Sequence, residues 1–383
     1  MISIEKLRVG ICTAPLASAS ISPTSSLIEI FKSLSHNLIL ITGGEGYHFF
    51  KPDTQLKCYG SAKKTHSNLF IRVIDAFLFQ LLECYIIVVN KNKIDLWVFF
   101  MGGERQLFPI LLTKIMRKPC LLIQGGSLVK SAIYAKDPFL VVIRLLCRIN
   151  CSLVDGIIIY APRLLEEANL EKHKNKVFVA QRHFIDFNVF KQTIDYDKRP
   201  NMVGYLGRLS NEKGVVNFVQ SFPGIKLKDP SIHFFIGGEG VLREQLMKMV
   251  SSQDMENSVT FSEWIPHDKL PFYLNQFKLL VLPSYTEGLP NVMLEAMTCG
   301  TPVLATPVGS IPDIIIHEKT GFILPDNSPE SIKDSIIKGL NYPDLNSVID
   351  NGKCLVENKF SFEKAVESYA LILSNFSKHN QNY

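Results

Sequence analysis

The chain has 383 residues, 46% of them hydrophobic and 20% charged, a balance that fits a folded globular protein and excludes a disordered one. At this length two domains of roughly 150–200 residues are expected instead of one core. No stretch supplies the roughly 20 uninterrupted apolar residues of a membrane span, and the eight cysteines show no metal-ligand spacing, so buried free thiols in a reducing cytosol are their expected state.

Charge is divided unevenly. Residues 1–190 hold 23 Lys and Arg against 14 Asp and Glu, a net +9, which leaves 18 against 22, a net −4, for residues 191–383. An excess confined to one half suggests that this half meets anions. No basic run carries the interleaved aromatics that trace a nucleic-acid strand, so nucleic acid is not an expected partner. An anionic membrane face and a merely solvated basic surface are the two readings left.

The chain opens with MISIEKLRVGICTAPLASAS. Lys6 and Arg8 precede a short apolar stretch in the manner of a secretory signal. LRVGICTAPL nevertheless reads as a first buried strand and its loop, and a cytoplasmic location is expected, with a peripheral place on the inner membrane face allowed. The runs HNLILITGG, YIIVVN, DLWVFFMGG, KPCLLIQGG, DGIIIYA and KVFVAQ follow. They are short, unalternating and rich in β-branched residues, the pattern of parallel strands covered on both faces. Between them, FPILLTKIMRK and DPFLVVIRLLCRIN predict helices. Leu69–Val89, interrupted by Arg72, Asp75 and Glu83, predicts an amphipathic helix running into the strand YIIVVN.

Residues 187–201, FNVFKQTIDYDKRPN, are polar and patternless and predict a linker. The alternation then restarts with MVGYLGRL, IHFFIGGEG, VTFSEWI, LLVLPSY, TPVLATPVG and GFILP, with helical stretches between. The fold class expected is therefore α/β, two Rossmann-like doubly wound domains facing each other across a cleft. Their expected spans are 1–190, a linker at 191–200, and 201–359, with a closing helix at 360–383.

Four segments of the second half carry candidate chemistry. In YLGRLSNEKGV a strand ends at Gly207, and Arg208 and Lys213 stand at the mouth of the βα loop, where a guanidinium fork and a mobile ammonium suit a diphosphate. The competing reading pairs Arg208 with Glu212 and leaves Lys213 solvated. FFIGGEGVLREQL places Gly238 and Gly240 after a strand, a tight turn with amides near a ligand; without a third glycine it is not a dinucleotide fingerprint. In FSEWIPHDKLPFYL a helix begins near Asp268 as cap, and Trp264 and Ile265 either frame a flat base or simply pack. In SYTEGLPNVMLEAMTCG, Pro290 opens a helix that Gly300 closes. Glu287 falls on the loop and Glu295 more than a turn into the helix, with the amides of Gly288, Leu289 and Asn291 between them. A helix N-terminus attracts phosphate, and carboxylates to either side can accept hydrogen bonds from sugar hydroxyls. That is the shape of a nucleotide sugar. Asp195-Tyr196-Asp197 has the form of a DxD metal motif but lies in the linker, where a solvated charged turn is expected.

Taken in order over about residues 200–335, these four segments closely resemble glycosyltransferase family 4, and the first half matches in pattern only. The resemblance implies the GT-B architecture and retaining transfer from a UDP- or GDP-sugar to a hydroxyl of a carbohydrate or lipid-linked acceptor, in polysaccharide, glycolipid or glycoconjugate synthesis. Glu287 would contact the donor sugar, Glu295 the ribose, Arg208 and Lys213 the diphosphate with the Gly288–Leu289 amides, and Trp264 and Ile265 the base. The closing helix would cross back to the first domain. Two features depart from the family: the first loop offers Ser18 in PLASASISPTSS where a glycine pair is common, and CLLIQGGSLVK presents Gln124, Gly125, Gly126 and Ser127 where many members carry a histidine. With Arg208 and Lys213 neutralising the diphosphate, no metal or other cofactor is called for. An NDP-sugar epimerase or phosphorylase on the same scaffold, or a non-catalytic NDP-sugar-binding scaffold, are the alternatives.

Overall fold

The computed structural model describes residues 7–62 and 69–377; Lys6 and residues 378–383 of the expected closing helix lie outside the described residues. The chain folds as two compact units. One holds the described residues up to Val129, Pro138–Phe184 and the chain from Phe362; the other holds Lys130–Asp137 and Ile185–Ser361.

The first unit is built on a seven-stranded sheet: β1 (Leu7–Leu16), β2 (Ser35–Gly44), β3 (Lys57–Ser61), β4 (Leu96–Phe100), β5 (Cys120–Gln124), β6 (Gly156–Ile159) and β7 (Val177–Val179). Their order is β3-β2-β1-β4-β5-β6-β7, and every pairing is parallel. The second unit has β8 (Met202–Leu206), β9 (His233–Gly237), β10 (Val259–Ser262), β11 (Leu279–Leu282), β12 (Val303–Ala305) and β13 (Phe322–Ile323), ordered β10-β9-β8-β11-β12-β13 and again all parallel. Both sheets are doubly wound. Strands such as LWVFF and CLLIQ are buried at every position because helices cover both faces. The order reverses between β1 and β4 in the first sheet and between β8 and β11 in the second. Loops leaving the carboxyl ends of such strands flank the place where open α/β sheets bind ligands.

Two expectations are corrected here. YIIVVN is not a strand: Leu69–Val89 is one continuous helix. Ile86 and Ile87 are buried while Tyr85, Val88 and Val89 are exposed, so the β-branched run obeys a helical period. The third strand is instead KCYGS, an edge strand with a mostly half-exposed face and no apolar run to announce it. In the second unit the strand read as VTFSEWI stops at Ser262.

Each sheet makes room for one large aromatic at its first strand. A Cβ on Gly10 of β1 would lie 2.3 Å from the Trp97 ring, and a Cβ on Gly204 of β8 would lie 2.3 Å from the Phe277 ring. Both rings are fully buried.

The stretch read as a linker is fastened to the second unit. Phe190 lies in its core. Arg199 is buried and donates to the carbonyls of Phe277 (3.0 Å) and Cys299 (2.6 Å) and to Thr301 Oγ1 (2.6 Å). Asn275 Oδ1 accepts from the Thr193 amide at 2.7 Å. The closing helix Phe362–Ser377 belongs to the first unit, where Tyr369 meets Phe31 edge to face at 5.6 Å. The eight cysteines are all free thiols.

Because the glycine sites have no spare volume, Gly10→Ala or Gly204→Ala should cost about 1–3 kcal/mol of stability through overpacking. Chemical denaturation of each variant reads this directly; a midpoint equal to that of the unsubstituted chain would show that the aromatics can move aside.

Candidate functional site

The loop after β8 is held from beneath. Tyr205, buried on the strand, donates its hydroxyl to the Arg208 carbonyl at 2.7 Å. Arg208 itself is exposed and pairs with Glu212 at 3.3 Å, while the Ser210 hydroxyl donates to the same Glu212 oxygen at 2.7 Å. Burial works against the Glu212 anion, but the Ser210 hydroxyl, the backbone and the two cations outweigh it and hold its carboxyl below the usual range. The loop closes at Gly214, whose φ of +66° and whose approach to the Pro283 carbonyl, 1.9 Å from a notional Cβ, admit only glycine. That contact and the hydrogen bond from the Tyr285 amide to the Glu212 carbonyl (2.9 Å) tie this loop to the one after β11.

The tie brings two expected residues together. Lys213 Nζ lies 2.6 Å from Glu287 Oε1, and the Ser284 hydroxyl donates to the same oxygen at 2.8 Å. Lys213 is therefore not solvated, as one reading had it, whereas the Arg208–Glu212 pairing of that reading is present. Both expected cations stand beside a carboxylate, so the ligand-free corner is locally neutral.

From Glu287 the chain turns through Gly288 and Leu289 into the helix Asn291–Thr298, with Pro290 one position before it. The Gly300 amide donates to Met297 and the Thr301 amide to Ala296, a Schellman close. The Gly288 carbonyl accepts from the Ser310 amide at 2.8 Å, while among the described residues the Gly288 and Leu289 amides have no protein acceptor. Asn291 Oδ1 and Ser310 Oγ are buried without a hydrogen-bond partner. Glu295 is 3% exposed and its Oε1 lies 2.8 Å from His267 Nε2. Sequence reasoning did not anticipate this histidine. The hydrogen bond to Glu295 raises the His267 pKa above its ordinary value, against the opposing effect of burial.

The loops after β9 and β10 are clasped by Arg243, a second residue not anticipated. Its Nη1 donates to the carbonyls of Gly238 (3.3 Å) and Ser262 (2.9 Å), and its guanidinium lies over the Phe261 ring. Gly207 is joined to the neighbouring strand by its amide, which donates to the Gly237 carbonyl at 3.0 Å. Trp264 is 48% exposed, but Ile265 is buried in the apolar core with Leu206 and Leu289. Of the two residues expected to border a base, only Trp264 is presented. Asp268 caps no helix: a 3-10 turn at His267–Lys269 precedes the helix Leu270–Leu274, and Asp268 pairs with Lys269 at 3.5 Å.

In the first unit Gln124 ends β5, buried, with Nε2 3.5 Å from Cys151 Sγ and Oε1 without a partner. Gly125 lies against the Tyr160 ring, Gly126 is half-buried and Ser127 buried. Ser18 follows β1 and donates to Glu45. No hydrogen bond among the described residues joins Ser18 to the Gln124 group. A histidine does stand here, supplied by the chain after β7: His183 meets Tyr160 edge to face at 4.8 Å, and Arg182 Nε donates to the Tyr160 hydroxyl at 2.8 Å. No local signal marks either residue, since both act through a strand distant in sequence.

Asp195 of the DxD-like triplet pairs with Lys198 at 2.6 Å. Among the described residues no group of three or more His, Cys, Asp or Glu is gathered as a metal site.

Residues 186–353 match the model of the family described as glycosyl transferases group 1. Among curated proteins, an alpha-D-kanosaminyltransferase of Streptomyces kanamyceticus is 29% identical over 45% of this chain and 45% of its own. The capsular polysaccharide biosynthesis glycosyltransferase CapM of Staphylococcus aureus is 29% identical over 47% of each. The matches thus span about half the length of these relatives. Among solved structures, HepE of Anabaena, crystallised with UDP, superposes with a TM-score of 0.77 at 16% identity, covering 96% of this chain and 100% of that one. Sucrose-phosphate synthase of Thermosynechococcus elongatus follows at 0.75 and 16%, covering 97% and 99%. The likeness shows the fold, the pair of Rossmann-like units expected of GT-B proteins.

The raised pKa of His267 sets a sign. The pair with Glu295 stabilises the fold fully below the ordinary histidine value of 6.5 and is lost as pH rises through the higher folded value. Melting temperatures of the unsubstituted chain and His267→Gln, followed from about pH 5 to about pH 9, should differ at the acid end and converge at the alkaline end. A gap that stays constant would show that His267 does not titrate against Glu295.

Proposed function

We propose that this chain transfers a hexosyl-type unit from a UDP- or GDP-sugar to an acceptor hydroxyl, with retention at the anomeric carbon. The observation that carries the reading is the Lys213–Glu287 pair at 2.6 Å, beside the Gly288 and Leu289 amides, which have no protein acceptor among the described residues. An acid for sugar hydroxyls and a base for phosphate are held at one corner by two different βα loops. The group 1 match over residues 186–353 and relatives named as a capsular polysaccharide biosynthesis glycosyltransferase and a 2-deoxystreptamine N-acetyl-D-glucosaminyltransferase support it. UDP is the first nucleotide to test because HepE was crystallised with UDP and with UDP-glucose.

In this reading the sugar hydroxyls hydrogen-bond to Glu287, and the ribose hydroxyls meet Glu295 as its bond to His267 is shared or yielded. Lys213, released in part from Glu287, turns to the diphosphate together with Arg208 and the Gly288 and Leu289 amides. The bond from the anomeric carbon to the diphosphate oxygen breaks, and the acceptor oxygen bonds to the same face of that carbon. The acceptor proton passes to the departing phosphate oxygen. The chain stabilises the charge building on the leaving group through donors already in place. These cations suffice in place of a metal, so transfer should persist in EDTA. The acceptor is a carbohydrate or lipid-linked glycan presented at the inner face of the cell membrane, in cell-surface polysaccharide or glycolipid synthesis.

Loss of one charge-assisted contact costs about 1.5–3 kcal/mol, or about 10–150-fold in rate. Glu287→Ala and Arg208→Ala should each lose transfer by that order while melting cooperatively, measured with a panel of UDP-, GDP- and ADP-sugars and by the rise in melting temperature that a bound donor produces. Folded variants that turn over at the unsubstituted rate would remove these residues from the mechanism.

A further inference from the structure

We propose that the first unit rests on an anionic lipid bilayer through the helices Leu69–Val89, Leu107–Ile115 and Leu140–Leu153. The first of these helices is apolar on its outer side as well as its inner one, unlike a surface washed by water. Phe70, Ile74, Phe77, Leu81, Tyr85 and Val88, at helical spacing, are all exposed, while Phe79, Glu83, Ile86 and Ile87 form the buried side. That outward stripe is wholly apolar, and the helix's Glu83 carboxyl is buried on the inner side. A water-facing helix ordinarily does the reverse.

The apolar surface continues onto its neighbours. The first helix packs on the second, where Phe77 and Phe108 meet edge to face at 5.6 Å, and the second packs on the third. Ile115 and Val141 are each 77% exposed, and Leu145, one turn on from Val141, is exposed too. Exposed apolar side chains on three successively packed helices mark an interaction site.

Charge decides what covers it. The three helices carry Arg72, Lys114, Arg144 and Arg148, and their two acids are Asp75, half-buried, and Glu83, buried. No acid is exposed on them. Exposed arginines among exposed aliphatic and aromatic side chains match acyl chains beneath anionic headgroups, with the guanidinium groups reaching back to the phosphates. No described helix is long and apolar enough to cross a membrane, so the helices lie in the interface, about 5–10 Å deep. This deepens the reading of a membrane-presented acceptor and rests on it only for what the bilayer delivers.

The test is co-sedimentation of the full chain with vesicles of phosphatidylcholine alone or mixed in equal parts with phosphatidylglycerol. Binding is expected to the mixed vesicles at low salt, weakening as salt rises, and to be much poorer on neutral vesicles. The substitutions Y85E, I115E and V141E together, all at highly exposed positions, should abolish it. Arg144→Gln with Arg148→Gln should weaken it about 25-fold, about fivefold for each arginine. No sedimentation with mixed vesicles, undiminished binding by the triple variant, or a dimer in analytical ultracentrifugation that the triple variant splits would each overturn the proposal, the last assigning the face to a second copy of the chain. The UDP-induced rise in melting temperature, measured on the same samples, reports the donor site separately: its loss without loss of vesicle binding would sink the transferase reading and leave the membrane face standing.

Discussion

The candidate site of the second unit is organised by an ion pair between two loops that the sheet topology makes neighbours. Lys213 follows β8 and Glu287 follows β11, and these strands pair where the winding reverses. Both side chains are largely buried, at 18% and 10% exposure. Neither charge would be tolerated alone there, since a partly desolvated ion without its partner costs several kcal/mol. Paired, each holds the other in place, and Ser284 fixes the carboxylate oxygen that receives the lysine. With the Arg208–Glu212 pair beside it, the ligand-free corner is locally neutral.

The same economy of pairing governs the surrounding loops. Arg243 bridges the ends of β9 and β10 through two carbonyls, and Arg199 holds the chain entering the unit through carbonyls and the Thr301 hydroxyl, satisfying backbone groups outside the strand ladders. The first unit solves its buried polarity differently. Burial pushes the Glu83 carboxyl well above its usual range, with one hydrogen bond from Gln106 opposing it. Arg182 lies against the Phe100 and Tyr160 rings and makes no ion pair among the described residues. The two units therefore carry their charge in different ways. In the second, opposite charges face each other around a candidate ligand corner. In the first, the excess of 23 basic over 14 acidic residues in positions 1–190 includes exposed arginines among apolar side chains.

Much of this was legible in the sequence because its signals are local. The strands β8, β9, β11 and β12 of the second sheet announce themselves as short apolar runs, since burial on both faces leaves little polar alternation to confuse them. The loop-to-helix corner at Glu287 reads from Pro290, Asn291 and Gly300, whose backbone preferences act within a few residues. Failures came where a pattern serves two periods. YIIVVN has strand composition but ends a helix, and KCYGS has no strand signature because it lies at a sheet edge with little to bury.

Residue types and spacing by themselves determined the α/β alternation, the placement of Glu287 and two cations on βα loops and of Glu295 in the helix that follows, and the segregation of charge between the halves, because each is read from local sequence. Only the tertiary structure decided which acid holds which cation, that Ile265 turns inward while Trp264 does not, that His267 reaches Glu295, and that His183 and Arg182 converge on Tyr160. Those partners lie 22 to 74 positions apart, and only the order and register of the parallel strands bring such distant side chains within reach of one another.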